Sequence, residues 1–175
     1  MVNVAPVVAV VSTVLNTLDP FTLDPGFDIR KVAQIAKTKS SHSWEYGATA
    51  QALTELFNPA HSVFGASPFP IPQLNIAKTP ALAYLEDKVK FGKSFMALDD
   101  GNGAAGDPAS MCVAAVMLGK TVKKFGDAAK ETVTGLLRDV PRMGNGAISH
   151  RANVAEVWYV TMLPSRIISS ISQLT

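Results

Sequence analysis

Three short stretches of the chain carry residue types that could do chemistry. The first is Asp99-Asp100-Gly101-Asn102-Gly103-Ala104-Ala105-Gly106-Asp107. Paired carboxylates can share general acid and base work, and glycines let a backbone approach a ligand closely. Asp99, Asp100 and Asp107 could face one pocket. Turn chemistry plus a helix cap would account for the same residues without a ligand. A calcium loop does not fit, because the ligand spacing and the closing Glu are missing. Gly101 to Gly106 matches G-x-G-x-x-G literally, but no β-branched strand precedes it, so the dinucleotide reading falls away.

The second stretch is Ser41-His42-Ser43-Trp44-Glu45-Tyr46-Gly47. Trp and Tyr present flat apolar faces with polar edges, which suits a sugar-binding floor. Helix capping and core aromatics explain the stretch equally well. The third is Ser149-His150-Arg151, followed by Glu156 and Trp158. His and Arg together suit a carboxylate, through charge-assisted hydrogen bonds. A solvated helix start is the competing explanation. His42, His61 and His150 stand in unrelated contexts and show no metal-ligand spacing, so no metal is expected. Cys112 is the single cysteine, so an intramolecular disulfide is excluded. It lies in the apolar run Met111–Met117 and is expected to be a buried, inert thiol.

These stretches must be held by helices, because the helical signals are strong and the strand signals weak. Ser41 or Ser43 can cap a helix from about Trp44 to Phe57, with Ala48, Ala52, Leu53, Leu56 and Phe57 on one face. Asn58-Pro59 ends it. A proline-rich loop runs to Lys78, and Thr79-Pro80 opens a helix reaching about Phe91. Its shared face is Leu82, Leu85 and Val89. Asp107-Pro108 reads as N-cap and first-turn proline of a helix to about Leu118 that is apolar nearly all round. A further amphipathic helix spans about Lys124 to Val140, with Phe125, Ala128, Ala129, Val133, Leu136 and Leu137 inward. Pro141 stops it, and another helix is expected near Asn153. Helices joined by Gly- and Pro-rich loops imply an all-α fold of the solenoid, bundle or toroid kind.

Composition bounds the rest. The chain has 175 residues, 47% hydrophobic and 17% charged, with net charge +2. That is one domain's worth of globular sequence. The 16 Lys and Arg are scattered apart from Lys120, Lys123 and Lys124, so no nucleic-acid stripe is present. The uninterrupted apolar run Val7–Val11 is too short to span a membrane. It lacks the basic residues that precede a signal peptide's apolar core, which favours the cytoplasm over secretion.

Several blocks, in order, resemble fungal six-hairpin glycosidase-like proteins. They are His42–Gly47 with Ala52–Leu56 behind it, Asn58-Pro59, Ser62–Gly65, Pro68–Pro70, Asp100–Ser110, Asn145–Arg151 and the Glu156-Val157-Trp158 step. Such proteins are similar to glycoside hydrolase families 88 and 105. The resemblance implies an (α/α)6 toroid built of helical hairpins, of which this truncated chain would hold a part. It implies hydrolysis of unsaturated uronyl sugars by an Asp acid that hydrates the sugar double bond, with no metal or other cofactor. It further implies a small-molecule or oligosaccharide substrate. Residues 1–28 form an apolar N-terminal segment in this scheme, 29–158 the partial domain and 159–175 a divergent tail. In the group, the Trp is followed by Ala-Asp, where the acid looks to lie. Here Tyr159-Val160-Thr161 follows Trp158, and residues 159–175 contain no Asp or Glu. The expectation is therefore a hydrolase-like chain that is catalytically incomplete, with Asp100 and Asp107 as the acids nearest a site and Trp44, His150, Arg151 and Trp158 as substrate contacts. The alternative is a non-hydrolytic accessory or tailoring protein of a fungal secondary-metabolite pathway. Helices that lack packing partners would leave apolar faces open and promote self-association.

Overall fold

In the computed structural model, residues 24–65, 68–99 and 103–156 are described. They form six α-helices and no β-strand. Asp100, Trp158, the apolar run near the N-terminus and the tail from Tyr159 lie outside these residues. The all-α expectation holds for what is described. No helix among these residues is long and apolar enough to cross a membrane.

Helix α1, Ile29–Lys39, was not anticipated by the apolar spacing. Asp28 caps it, its carboxylate accepting from the Lys31 N–H at 3.0 Å, and Lys37 and Lys39 sit in the last turn. Both ends therefore oppose the helix dipole. Helix α2, Ser43–Phe57, starts one residue earlier than expected and is capped in reverse. Glu45 reaches back and accepts from the backbone N–H groups of Ser41 (2.5 Å) and His42 (3.0 Å). Those two bonds hold its carboxyl below the usual range. The buried face of α2 is also rotated from the expected one. Gly47, Ala50, Leu53 and Thr54 are inside, while Ala48 and Ala52 are exposed. The smallest residue, Gly47, decides this, because it permits the closest approach of another helix.

Helix α3, Pro80–Glu86, has Pro80 in its first turn but stops short of Phe91. The Lys88 N–H bonds to Leu85 across three residues and tightens the end. The chain then turns so that the Phe91 ring packs on Phe125, 5.2 Å between centroids. The apolar stretch expected as one helix is two, α4 (Gly106–Ser110) and α5 (Cys112–Gly119). The break falls at Met111, whose N–H bonds to Pro108 rather than one residue further back. Asp107 is consequently not the N-cap. The helix starts at Gly106, and Asp107 lies within the first turn. Helix α6, Lys123–Arg138, buries Phe125, Ala129, Val133 and Leu136 as expected, but Leu137 is 45% exposed. One residue past Leu136 turns a further 100° around the helix, which takes it out of the core.

The core lies where α5 is enclosed by α3, α6 and the α2 face. Leu53, Leu82, Leu85, Met117, Leu118 and Phe125 are all essentially inaccessible there. The Lys120–Val122 link folds α5 and α6 into a tight hairpin. A Cβ added to Gly119 would stand 2.6 Å from the Gly126 Cα, so the two backbones touch where the helices meet. No helix starts near Asn153 within the described residues. Residues 149–156 form a compact loop instead, described below.

One corner ties α6 to the segment leading into the acidic loop. Ser94 has φ +54, which is unfavourable for a non-glycine residue. Two acids of the α6 region hold it: Glu131 accepts from its N–H at 2.7 Å, and Asp139 accepts from its hydroxyl. Asp139 also pairs with Arg138, 2.6 Å from Nε.

Gly119→Ala is expected to destabilise the fold by about 1–3 kcal/mol, because the added methyl meets backbone rather than a flexible side chain. Gly126→Ala should be near neutral. Its Cβ would lie 3.3 Å from Gly119 Cα, and the gain in helix propensity, about 1 kcal/mol, offsets the strain. Urea melts of both variants check the order, and a stabilising Gly119→Ala would contradict it. A second expectation concerns pH. The Arg138 guanidinium, and next the Ser94 hydroxyl, hold the Asp139 carboxyl down at about 2, against 3.8. Its contribution is complete above about pH 4 and is lost as pH falls through about 2. Asp139→Asn should therefore lose stability less steeply than the parent between those values. Parallel urea-midpoint curves would count against the contact.

Candidate functional site

Two of the three chemistry-bearing stretches meet through their backbones. Ala104 and Arg151 form an antiparallel bridge. The Ala105 N–H donates to the His150 carbonyl at 2.6 Å, and the Ala152 N–H to the Gly103 carbonyl at 3.1 Å. The glycine-rich loop and the Ser-His-Arg block, about 45 residues apart in sequence, are thus one layer. Helix α4 follows directly from this layer and carries Asp107.

The third stretch reaches the same helix from the other side. The Ser110 hydroxyl donates to the Asp107 carbonyl at 2.7 Å, with the Ser43 carbonyl 3.2 Å away. An ideal Cβ on Gly47 would sit 2.5 Å from the Ser110 carbonyl carbon. Any larger residue at 47 would push the start of α2 off α4. Helix α4 is therefore clamped between the start of α2 and the 103–105/150–152 layer.

Within this arrangement the candidate side chains differ in access. Asp107 is 8% exposed and His150 6%, so both belong to the wall rather than to its surface. Arg151 is half-buried. Trp44 is 51% exposed, in the first turn of α2. Of the aromatic pair, Trp44 is the one with an open face. Tyr46 is committed elsewhere, with its ring edge-on to Tyr84 at 6.5 Å and the Lys88 ammonium over both rings at 5.5 and 5.8 Å. A sugar floor built from both aromatics is therefore not formed. Asp99 is half-buried at the near edge of the loop, and Asp100 and Trp158 lie beyond the described residues.

Two other chemistries can be judged from geometry. Ser41, His42 and Glu45 cluster, but they do not make a Ser-His-acid triad. The Ser41 hydroxyl (2.9 Å) and the Glu45 carboxylate (3.4 Å) both meet Nδ1 of His42, whereas a triad uses the two ring nitrogens separately. The cluster is a helix cap at the surface. Cys112 is fully buried, and burial pushes its thiol up to about 12, so a thiolate nucleophile is out of reach. Among the described residues no group of three or more His, Cys, Asp or Glu side chains could hold a metal ion.

The residue that sequence reasoning undervalued is Ser149. It is completely buried, and its hydroxyl stands within hydrogen-bond distance of four backbone groups, donating to one carbonyl at a time. It lies 2.8 Å from the Val154 carbonyl and 3.1 Å from the Glu156 carbonyl, and it accepts from the N–H groups of Glu156 (3.0 Å) and Arg151 (3.2 Å). With the His150 N–H donating to the Glu156 carbonyl at 2.9 Å, it folds 149–156 back on itself. Ser149 thus sets where His150 and Arg151 stand. Its only sequence signal is the Ser-X-Arg spacing, which also fits a helix start.

Ser149→Ala is expected to cost about 1–3 kcal/mol, since buried backbone groups lose their partner. Faster amide exchange confined to 149–156 and the 103–105 layer would report it, and unchanged exchange there would contradict the role. Compared with known proteins, the chain matches no family model, no curated protein and no solved structure.

Proposed function

We propose that this chain is a glycoside hydrolase-like protein, related to the unsaturated uronyl hydrolases, that binds an acidic sugar and is catalytically incomplete. The observation that carries the proposal is the layer in which the glycine-rich loop pairs with the Ser-His-Arg block beside α4. The segments that carry an accessible indole, a guanidinium and a carboxyl meet through backbone contacts around α4. Trp44 offers an apolar face for the flat side of a sugar ring. Arg151 offers a planar pair of donors for the uronate carboxylate, the geometry in which Arg is strongest. Asp107 is the acid on α4 that would act on the ring's double bond, and its burial limits that role. The α5–α6 hairpin would be one of the repeating hairpins of a partial (α/α)6 toroid.

The second reading, an accessory protein that binds without turnover, draws on one specific observation. Asp107 is in the wall, with little of its surface available to a substrate. Binding in that reading survives and chemistry does not.

The test is calorimetric titration with an unsaturated uronyl disaccharide from a lyase digest, with the ultraviolet absorbance of its double bond followed in parallel. The proposal expects binding that Arg151→Ala weakens about tenfold or more, the scale of a lost charge-assisted bond. It expects no loss of absorbance. Absence of binding, or binding indifferent to Arg151, would overturn the sugar-site reading. Turnover would overturn catalytic incompleteness.

A further inference from the structure

Helix α1 packs on α2 along one side, and none of its 11 residues is buried. Ile29, Ala33 and Ala36 are half-buried there and, with Ala52 and Leu56 of α2, line the open α1/α2 groove of about 500 Å³. The apolar stripe continues outward past the groove. Val32 and Ile35 are each 49% exposed, and Phe27, at the bend leading into α1, is 60% exposed. Val32 and Ile35 stand three residues apart and are neighbours on the helix surface. An exposed apolar residue here and there is ordinary, but a cluster of them marks a surface for contact.

The charge on α1 is of one sign. Arg30, Lys31, Lys37 and Lys39 are cations, and the helix contains no acid. Apart from Asp28, whose carboxylate caps the helix, no acid stands three or four residues from any of them. Helix α6 differs, for its Lys123 meets Asp127 one turn on at 2.6 Å. Lys31, Ile35 and Lys39 follow at steps of four, so two lysines flank Ile35 in one row, and all three are exposed. Neither Ile35 nor any Lys or Arg lines the groove. Its one acid, Glu55, is engaged by the Gln51 amide and the Ser62 hydroxyl. Cations and exposed apolar groups therefore share the outward edge of α1.

We infer that this edge binds an anionic phospholipid surface, with Val32 and Ile35 at the acyl boundary and Lys31 and Lys39 at the headgroups. A helix with cations beside an apolar stripe lies in the plane of such an interface. The long lysine stems let each ammonium reach the headgroups while its methylenes stay beside apolar neighbours. At about 16 Å, α1 is too short to cross a bilayer, so it lies on one. Charge sets the lipid class, because acidic headgroups attract Lys and Arg and zwitterionic ones do not. Charge also disfavours a second copy. A twofold contact through this edge would set the cations of one α1 against those of the other. A partner helix would seat in the groove, where the cations do not lie.

The experiment sediments the full chain with vesicles of mixed phosphatidylserine and phosphatidylcholine, and with vesicles of phosphatidylcholine alone. The inference expects about tenfold or tighter binding to the phosphatidylserine vesicles, weakening as salt rises. Ile35→Gln removes an apolar contact at constant charge, and Lys31→Gln with Lys39→Gln removes two cations. Each change should weaken binding about threefold or more, with thermal melts unaltered because the positions are exposed. Lys120→Gln with Lys123→Gln removes the same charge from the α5–α6 hairpin and should leave binding within about twofold. Equal binding to both vesicle types, or equal losses from the two lysine pairs, would overturn the inference. No vesicle binding would overturn it in favour of an acidic protein surface. A dimer in solution that Ile35→Gln disperses would assign the edge to a second copy instead.

Discussion

Much of the fold follows from the need to bury α5 on every side. Residues 112–118 contain no charged group, and six of them are buried. Such a segment cannot choose a polar face, so neighbours must surround it. Helices α3 and α6 and the inner face of α2 do so, and small residues set how closely they come. The Gly119–Gly126 contact draws α6 onto α5, and the Gly47–Ser110 contact draws α2 onto α4. Once these distances are fixed, the ends of α2 and α4 have little freedom. The candidate site lies at those ends.

The site is accordingly a by-product of packing to which polar detail has been added. Helix α4 connects the core to the 103–105 strand-like segment, and that segment pairs with 150–152. Ser149 then uses one hydroxyl to organise the loop that carries His150 and Arg151. On the opposite flank, Glu131 and Asp139 hold Ser94 in a conformation that few non-glycine residues adopt. Together the two anchors fix both approaches to the acidic loop. Pre-positioned polar groups on a rigid frame are what recognition of a charged sugar requires. In the proposed reading, a half-buried arginine, an open indole and a largely buried Asp107 suit binding more than chemistry.

How much of this was legible in the sequence depended on whether a local signal decided the outcome. The helix of residues 43–57, the Pro80 start, the apolar 108–118 run and the 123–138 helix were all readable from spacing, caps and prolines. Cys112 was readable as inert because its neighbours are apolar. The failures are tertiary. The inward face of α2 was misassigned because Gly47 has no hydrophobic signal of its own, yet its lack of a side chain dictates the approach of α4. Asp107 looks like an N-cap locally, but the bridge at Ala104 starts the helix one residue before it. The end of α3 was set by Phe91 finding Phe125, a contact invisible along the chain. Helix α1 was missed because its apolar residues are diluted by Arg30, Lys31 and Gln34, and its cap, Asp28, is a common surface residue. The proximity of the glycine-rich loop to the Ser-His-Arg block could not be read at all from spacing.

The central claim is that residues 103–107, 150–152 and the start of α2 form one surface for an acidic sugar. Backbone chemical shifts of the full chain, recorded during titration with an unsaturated uronyl disaccharide, test it most directly. The account predicts saturable changes grouped at Gly103–Asp107, His150–Ala152 and Trp44, with α5 silent. No saturable change, or changes confined to the α1/α2 groove, would contradict it.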